Sequence, residues 1–159
     1  MLAEMLGVRE GLTAVIGGGG KTTLLRTLGA ELARSGARVI LSTTTKFLPF
    51  PGIETVSGGE REVAEALARA PLVCAAAPWG KGGKLAESPV PMTRLAALAD
   101  YVLVEADGSA GLPLKAHAPH EPVIPAESGR TILALGASGF GRPIREAAHR
   151  PERYAELAG

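Results

Sequence analysis

The run Thr13-Ala14-Val15-Ile16-Gly17-Gly18-Gly19-Gly20-Lys21-Thr22-Thr23 decides the fold. It reads as a short apolar strand, a glycine loop, and a lysine with two threonines opening a helix. Glycines let the backbone curl so that several N–H groups point inward, a geometry suited to phosphate oxygens. The helix N-terminus adds partial positive charge. In this reading Gly17, Gly18, Gly19, Gly20, Lys21, Thr22 and Thr23 contact a nucleoside triphosphate. Lys21 reaches its β- and γ-phosphates, and the Thr22 hydroxyl serves a magnesium ion. A glycine turn without ligand is the plainer alternative. The strand–loop–helix context and the Lys-Thr-Thr that follows disfavour it.

The common pattern G-x-x-x-x-G-K-[ST] needs a glycine where Val15 stands. The shorter G-G-x-G-K-T-T fits, over Gly17 to Thr23. It resembles the loop of the P-loop class that contains the nitrogenase iron protein, the Min-type ATPases and dethiobiotin synthetase. Many of those carry a lysine just before the first glycine, which contacts nucleotide in a partner subunit. Here that residue is Ile16, so the resemblance implies phosphate binding without the argument for a nucleotide-sandwich dimer.

The chain has 159 residues, suited to one nucleotide-binding domain over 1–159. Hydrophobic residues make up 46% and aromatics 4%, so a core must be built from aliphatic side chains. A net charge of +1 offers no basic excess for nucleic acid. No apolar run approaches the roughly 18 residues of a membrane span, and the first residues, with Glu4 and Glu10, lack a signal-peptide layout. The one cysteine, Cys74, excludes an internal disulfide and reads as a buried thiol. These features predict a soluble cytoplasmic protein.

Working outward, residues 12–16 read as a strand. Residues 22–35 read as a helix with Leu24, Leu25, Leu28 and Leu32 at helical spacing, ended by Gly36. Residues 38–41, 72–76, 101–104 and 131–135 read as buried strands, and 53–56 as a short one. Residues 60–70 and 92–99 read as helices, 78–85 as a loop with a small hairpin, and the proline-bearing 108–130 as a long loop or covering segment. Residues 144–154 read as helical, interrupted at Pro151. Strands alternating with helices predict a doubly wound, mostly parallel α/β sheet with helices on both faces. Ligands of such sheets sit at the carboxyl ends of the strands. The polar clusters 17–23, 42–46 and 105–109 all follow strands, so one shared site is expected.

Glu105-Ala106-Asp107 ends an apolar strand, where a carboxylate commonly serves magnesium in phosphate-loop proteins. Strand alternation puts the two acids on one side, and either can fill the role. Thr22, Asp107 and Glu105 are therefore the candidate metal set. Thr44 and Thr45 join the nucleotide-contacting residues, and Lys46 can neutralise charge developing on transfer. A polar strand exit using local hydroxyl bonds explains this threonine run equally well. Lys21, Lys46, Glu105 and Asp107 form the candidate catalytic set. No acid follows Leu41 until Glu54, so nothing there orients an attacking water. His117, His120 and Glu121 suit a hydrogen-bonding role better than a metal site, lacking a further ligand nearby. His149 and Arg150 reach the site only if the last helix folds back. An N-K-x-D guanine motif is absent, which leaves ATP as the default nucleotide.

Four segments together resemble the YqeC family: the glycine loop, Thr43-Thr44-Thr45-Lys46, Glu105-Ala106-Asp107-Gly108-Ser109-Ala110-Gly111-Leu112-Pro113-Leu114-Lys115-Ala116, and His120-Glu121-Pro122-Val123-Ile124-Pro125. His149-Arg150-Pro151-Glu152 fits the same pattern. The resemblance implies an accessory factor in selenium-dependent molybdenum hydroxylase maturation, or selenium cofactor biosynthesis, with maturation proteins as partners. It also implies a chain that continues past Gly159, so a truncation is expected there. Three functions compete. The first is magnesium-dependent ATP binding with slow or partner-triggered hydrolysis. In it Thr22 and Asp107 hold the metal, and Lys46, Glu105 and Lys115 serve a transferred group or second substrate. The second is an ATP-dependent kinase or ligase acting on a small acid, as in dethiobiotin synthetase or the Mur ligases. The third is a nucleotide-gated binding module without turnover.

Overall fold

The computed structural model describes residues 1–159. The chain runs α1 (Leu2–Met5), β1 (Gly11–Gly17), α2 (Lys21–Arg34), β2 (Val39–Thr43), β3 (Thr55–Val56), α3 (Glu60–Arg69), β4 (Leu72–Ala75), β5 (Ala77–Trp79), β6 (Lys84–Ala86), α4 (Met92–Leu98), β7 (Tyr101–Glu105), β8 (Leu114–Lys115), β9 (Ser128–Ala134), α5 (Ile144–Ala147), β10 (Ala148–His149) and α6 (Pro151–Ala158). A six-stranded sheet has the order β3-β4-β2-β7-β1-β9, and every pairing in it is parallel. Parallel neighbours require crossovers, and helices α2, α3 and α4 supply them.

Side chains alternate across the sheet. Val39, Leu41, Cys74 and Leu103 pack with Leu25, Leu28 and Leu32 of α2 on one face. Ile40, Val73, Ala75, Val102 and Val104 pack with Val63 and Leu67 of α3 and Leu95 of α4 on the other. Both faces are thus covered, as in a doubly wound α/β fold, and near-continuous apolar strands follow from that burial. No helix is long and apolar enough to cross a membrane.

Several boundaries differ from the sequence reading. The N-terminal turn α1 was not expected; Glu31 of α2 accepts from the Leu2 and Ala3 amides at 3.0 and 2.9 Å. Strand β9 starts ahead of residue 131, since pairing with β1 extends it. The covering segment 108–130 holds β8, which pairs in parallel with β10. Residues 144–154 do not form one helix. Pro151 opens α6 at its first turn, where a missing N–H costs nothing, and Arg150 turns the chain at φ +61°.

Burial holds Cys74 apart from solvent chemistry and pushes its thiol up to about 12, with Thr55 pulling weakly the other way. A thiolate-directed reagent at pH 8 is expected to leave Cys74 unmodified in the folded protein and to modify it after denaturation. Rapid labelling of the native protein, read by mass spectrometry, would contradict this burial.

Candidate functional site

Strand register assembles the site. Val15 of β1, Glu105 of β7 and Thr43 of β2 are Cα partners across three adjacent strands. The loops after those strands therefore leave the sheet at one level. The three polar clusters meet there, beside the point where β7 and β9 flank β1 on opposite sides.

The glycine loop is shaped by close approach as much as by conformation. Gly17 adopts φ +103°, and a Cβ there would lie 2.2 Å from the Ala134 carbonyl oxygen. At Gly18 a Cβ would meet the Pro113 carbonyl oxygen at 2.7 Å. The Gly17 amide donates to Asp107 Oδ2 (2.9 Å) and the Gly18 amide to the Ala134 carbonyl (3.0 Å). These two amides face the protein, contrary to the expectation that all four glycines cradle phosphate. The helical ladder of α2 begins with Leu24 N donating to Gly20 O at 2.8 Å. The Lys21, Thr22 and Thr23 amides thus have no acceptor within the helix. With Gly19 and Gly20 they line a cavity of about 730 Å³.

Lys21 is buried, and its ammonium folds back to donate to the Gly17 carbonyl at 2.8 Å. It lies 3.2 Å from Asp107 Oδ1 and 3.7 Å from Glu105 Oε1, so the two acids do share a side as alternation requires. Their surroundings differ. Glu105 lines the cavity and accepts from the Thr22 hydroxyl at 3.1 Å. Burial raises the Glu105 pKa, while Lys21 and Thr22 pull it back down. Asp107 stands behind the loop, with His117 Nε2 2.6 Å from its Oδ2. Its Oδ1 is buried and has the Lys21 ion pair but no hydrogen bond. Thr22 and Glu105 are thus the pair facing the cavity, whereas the sequence reading paired Thr22 with Asp107.

The residues fit a magnesium ion. No cluster of three His, Cys, Asp or Glu side chains is built as a metal cage. Magnesium favours one or two carboxylates, waters and phosphate oxygens over such a cage. A hydroxyl and a carboxylate converging beside open helix amides match that preference.

The threonine run divides. Thr43 donates to the Glu105 carbonyl at 2.9 Å and accepts from the Thr45 amide at 2.9 Å. Thr44, expected at the nucleotide, instead donates to the Val123 carbonyl at 2.7 Å, because the covering segment passes over it. Thr45 and Lys46 line the cavity.

Lys115 was expected to serve a transferred group, but its side chain is wholly enclosed. It donates to the Gly108 carbonyl and to Glu121 Oε2 (2.7 Å), and lies 3.5 Å from Asp107 Oδ2. Burial pushes the Glu121 carboxyl up, yet Lys115, the Ala118 amide and Arg150 outweigh it and leave the pKa lowered. His117 sits on Asp107, Glu121 on Lys115 and Arg150, and His120 is exposed, so these three do not gather as a metal set. The C-terminal segment does fold back. The β8–β10 pairing sets His149 opposite Lys115, and His149 lines the cavity. Burial, with Arg150 and Lys115 nearby, lowers the His149 pKa.

Ser109 and Ala110 also line the cavity, and no role was assigned to them from sequence. Ser109 Oγ lies 3.5 Å from Lys21 Nζ, and Ala110 holds φ +51°, a conformation uncommon outside glycine. Their signal is the Gly-Ser-Ala-Gly run directly after the acidic pair.

Among known proteins, the family profile described as YqeC protein matches residues 13–152, which hold every site element named above. A protein of Escherichia coli (strain K12), named "Uncharacterized protein YqeC", is 34% identical over 158 residues. The match covers 95% of this chain and 62% of that relative, so the chain spans under two thirds of the relative's length. No solved structure matches.

Proposed function

The chain belongs to the YqeC family, and from that premise we propose that it binds a magnesium nucleotide, with ATP the preferred one. The observation that carries this reading is Lys21: a buried ammonium at the base of an open cavity, beside helix amides without acceptors. Two acids and the Gly17 carbonyl hold the ammonium ready, and the anionic phosphates offer it a new partner. Thr22 and Glu105 hold the metal. Asp107 anchors the Gly17 amide and keeps Lys21 in place. Bound magnesium would neutralise the charge of the phosphate oxygens.

Hydrolysis in this proposal is slow or triggered by a partner, because residues 43–48 offer no carboxylate to orient water. Residues 1–159 act as one cytoplasmic nucleotide-binding domain. The biological setting we propose is maturation of selenium-dependent molybdenum hydroxylases, the context implied by the family resemblance.

Calorimetric titration of ATP and GTP, with and without magnesium, tests the site. Magnesium is expected to tighten ATP binding to the unaltered protein. Thr22→Val is expected to lose about tenfold of that affinity, the scale of one hydrogen bond to a charged centre. Binding that ignores magnesium, or a variant equal to wild type, would remove the ion site. No binding of either nucleotide would overturn the proposal.

A further inference from the structure

The cavity is larger than its phosphate-loop wall. About 730 Å³ lies in the upper half of the usual ligand-site range of about 300–1,000 Å³. Its opposite wall comes from the segment after β2 and from the β5–β6 hairpin. Phe47 and Leu85 form an antiparallel bridge, with hydrogen bonds of 3.0 and 2.8 Å running both ways. Both side chains are buried in the α2-side core. Alternation then turns their neighbours Lys46, Leu48 and Lys84 to the other face, and all three line the cavity. Trp79 pairs with Lys84 across the hairpin, and the Lys46 ammonium sits 4.0 Å from the Trp79 ring centroid.

This wall has a distinct chemistry. Lys21 and Lys115 are neutralised by carboxylates, whereas Lys46 and Lys84 are exposed and have none within salt-bridge distance. Leu48 and Trp79 beside them are 61% and 49% exposed, so apolar surface is open next to both cations. Lys46, Lys84 and Leu48 line the same cavity as the phosphate loop, and Trp79 stands against Lys46 just outside that lining; together they form a receptor for an anion with an apolar body.

We propose that this wall binds a second ligand beside the triphosphate: a small carboxylate- or phosphate-bearing compound with a flat, apolar body. Lys46 and Lys84 hold its anionic group, and Leu48 and Trp79 pack against the rest. The inference rests on reading the facing wall as a nucleotide site.

Trp79 is the single tryptophan of the chain, so its fluorescence reports on this wall alone. Benzoate and phenyl phosphate are titrated into the protein saturated with magnesium and adenylyl imidodiphosphate. Benzyl alcohol serves as the uncharged control. A saturable change is expected with an anion and none with benzyl alcohol. A response to benzoate alone marks a carboxylate ligand, and a response to phenyl phosphate alone marks a phosphate ligand. Lys84→Ala is expected to weaken the anion response about tenfold. Silence of Trp79 with both anions, an equal response to benzyl alcohol, or a response indifferent to Lys84→Ala would overturn the proposal. So would a Trp79 change produced by the nucleotide itself that both anions then fail to alter, since the base would occupy the wall. Repeating the titrations without nucleotide, with calorimetry of the nucleotide in parallel, keeps failure of the phosphate-loop reading distinct from failure of this one.

Discussion

Lys21→Ala is expected to weaken magnesium-ATP binding about 100-fold. A hydrogen bond to a charged group contributes about 1.5–3 kcal/mol, and Lys21 is the one cation buried against the loop that the proposed phosphates enter. The substitution also strands Glu105 without its cation. Burial already raises the Glu105 pKa, so the carboxyl is expected to take up a proton and the fold to survive. Asp107 keeps the Gly17 amide and Lys115 as partners. Lys21→Ala/Glu105→Gln, which removes the stranded charge as well, serves as the control. It should melt closer to wild type than the single variant and still fail to bind. Calorimetry giving an affinity within threefold of wild type in a folded Lys21→Ala protein would take Lys21 out of the site.

Lys115→Met is expected to cost about 3–5 kcal/mol of stability, the range for breaking one side of a buried ion pair. Its ammonium is fully enclosed and is shared by Glu121, Asp107 and the Gly108 carbonyl. Methionine fills the space of the stem but leaves two carboxylates with less compensation. Arg150 still faces Glu121, and His117 and Gly17 still face Asp107, so the network weakens without vanishing. Urea unfolding measures the loss, and Lys115→Met/Glu121→Gln should recover part of it because the two residues are coupled. A loss below about 1 kcal/mol would match a solvated surface pair instead. Since the same ammonium holds the Gly108 carbonyl, the variant is also expected to loosen residues 108–111 at the cavity wall.

Much of the fold was legible. Short, near-continuous apolar runs located β1, β2, β4 and β7, and helical spacing located α2, α3 and α4, mostly to within a residue or two. Burial on both sheet faces enforces those patterns at every position. The β8–β10 pair was not legible. It has two residues per strand and partners distant in sequence, and neither half carries a periodic signal. The helical reading of 144–154, interrupted at Pro151, held for α5 and the start of α6 but missed β10 between them, where tertiary pairing at His149 overrode local propensity.

The glycine loop, its lysine and threonines, and their place between strand and helix are written in the chain, because backbone freedom and helix-end chemistry are local properties. Which carboxylate faces the cavity is not local. Glu105 and Asp107 share a side and a charge, and only the packing of His117, Lys115 and the Gly17 amide around Asp107 leaves Glu105 with Thr22. The turning of Thr44 to Val123, the enclosure of Lys115 and the arrival of His149 likewise depend on segments far apart in sequence. Side-chain partners across strands and covering loops are set by register and burial, and those exist only once the sheet has formed.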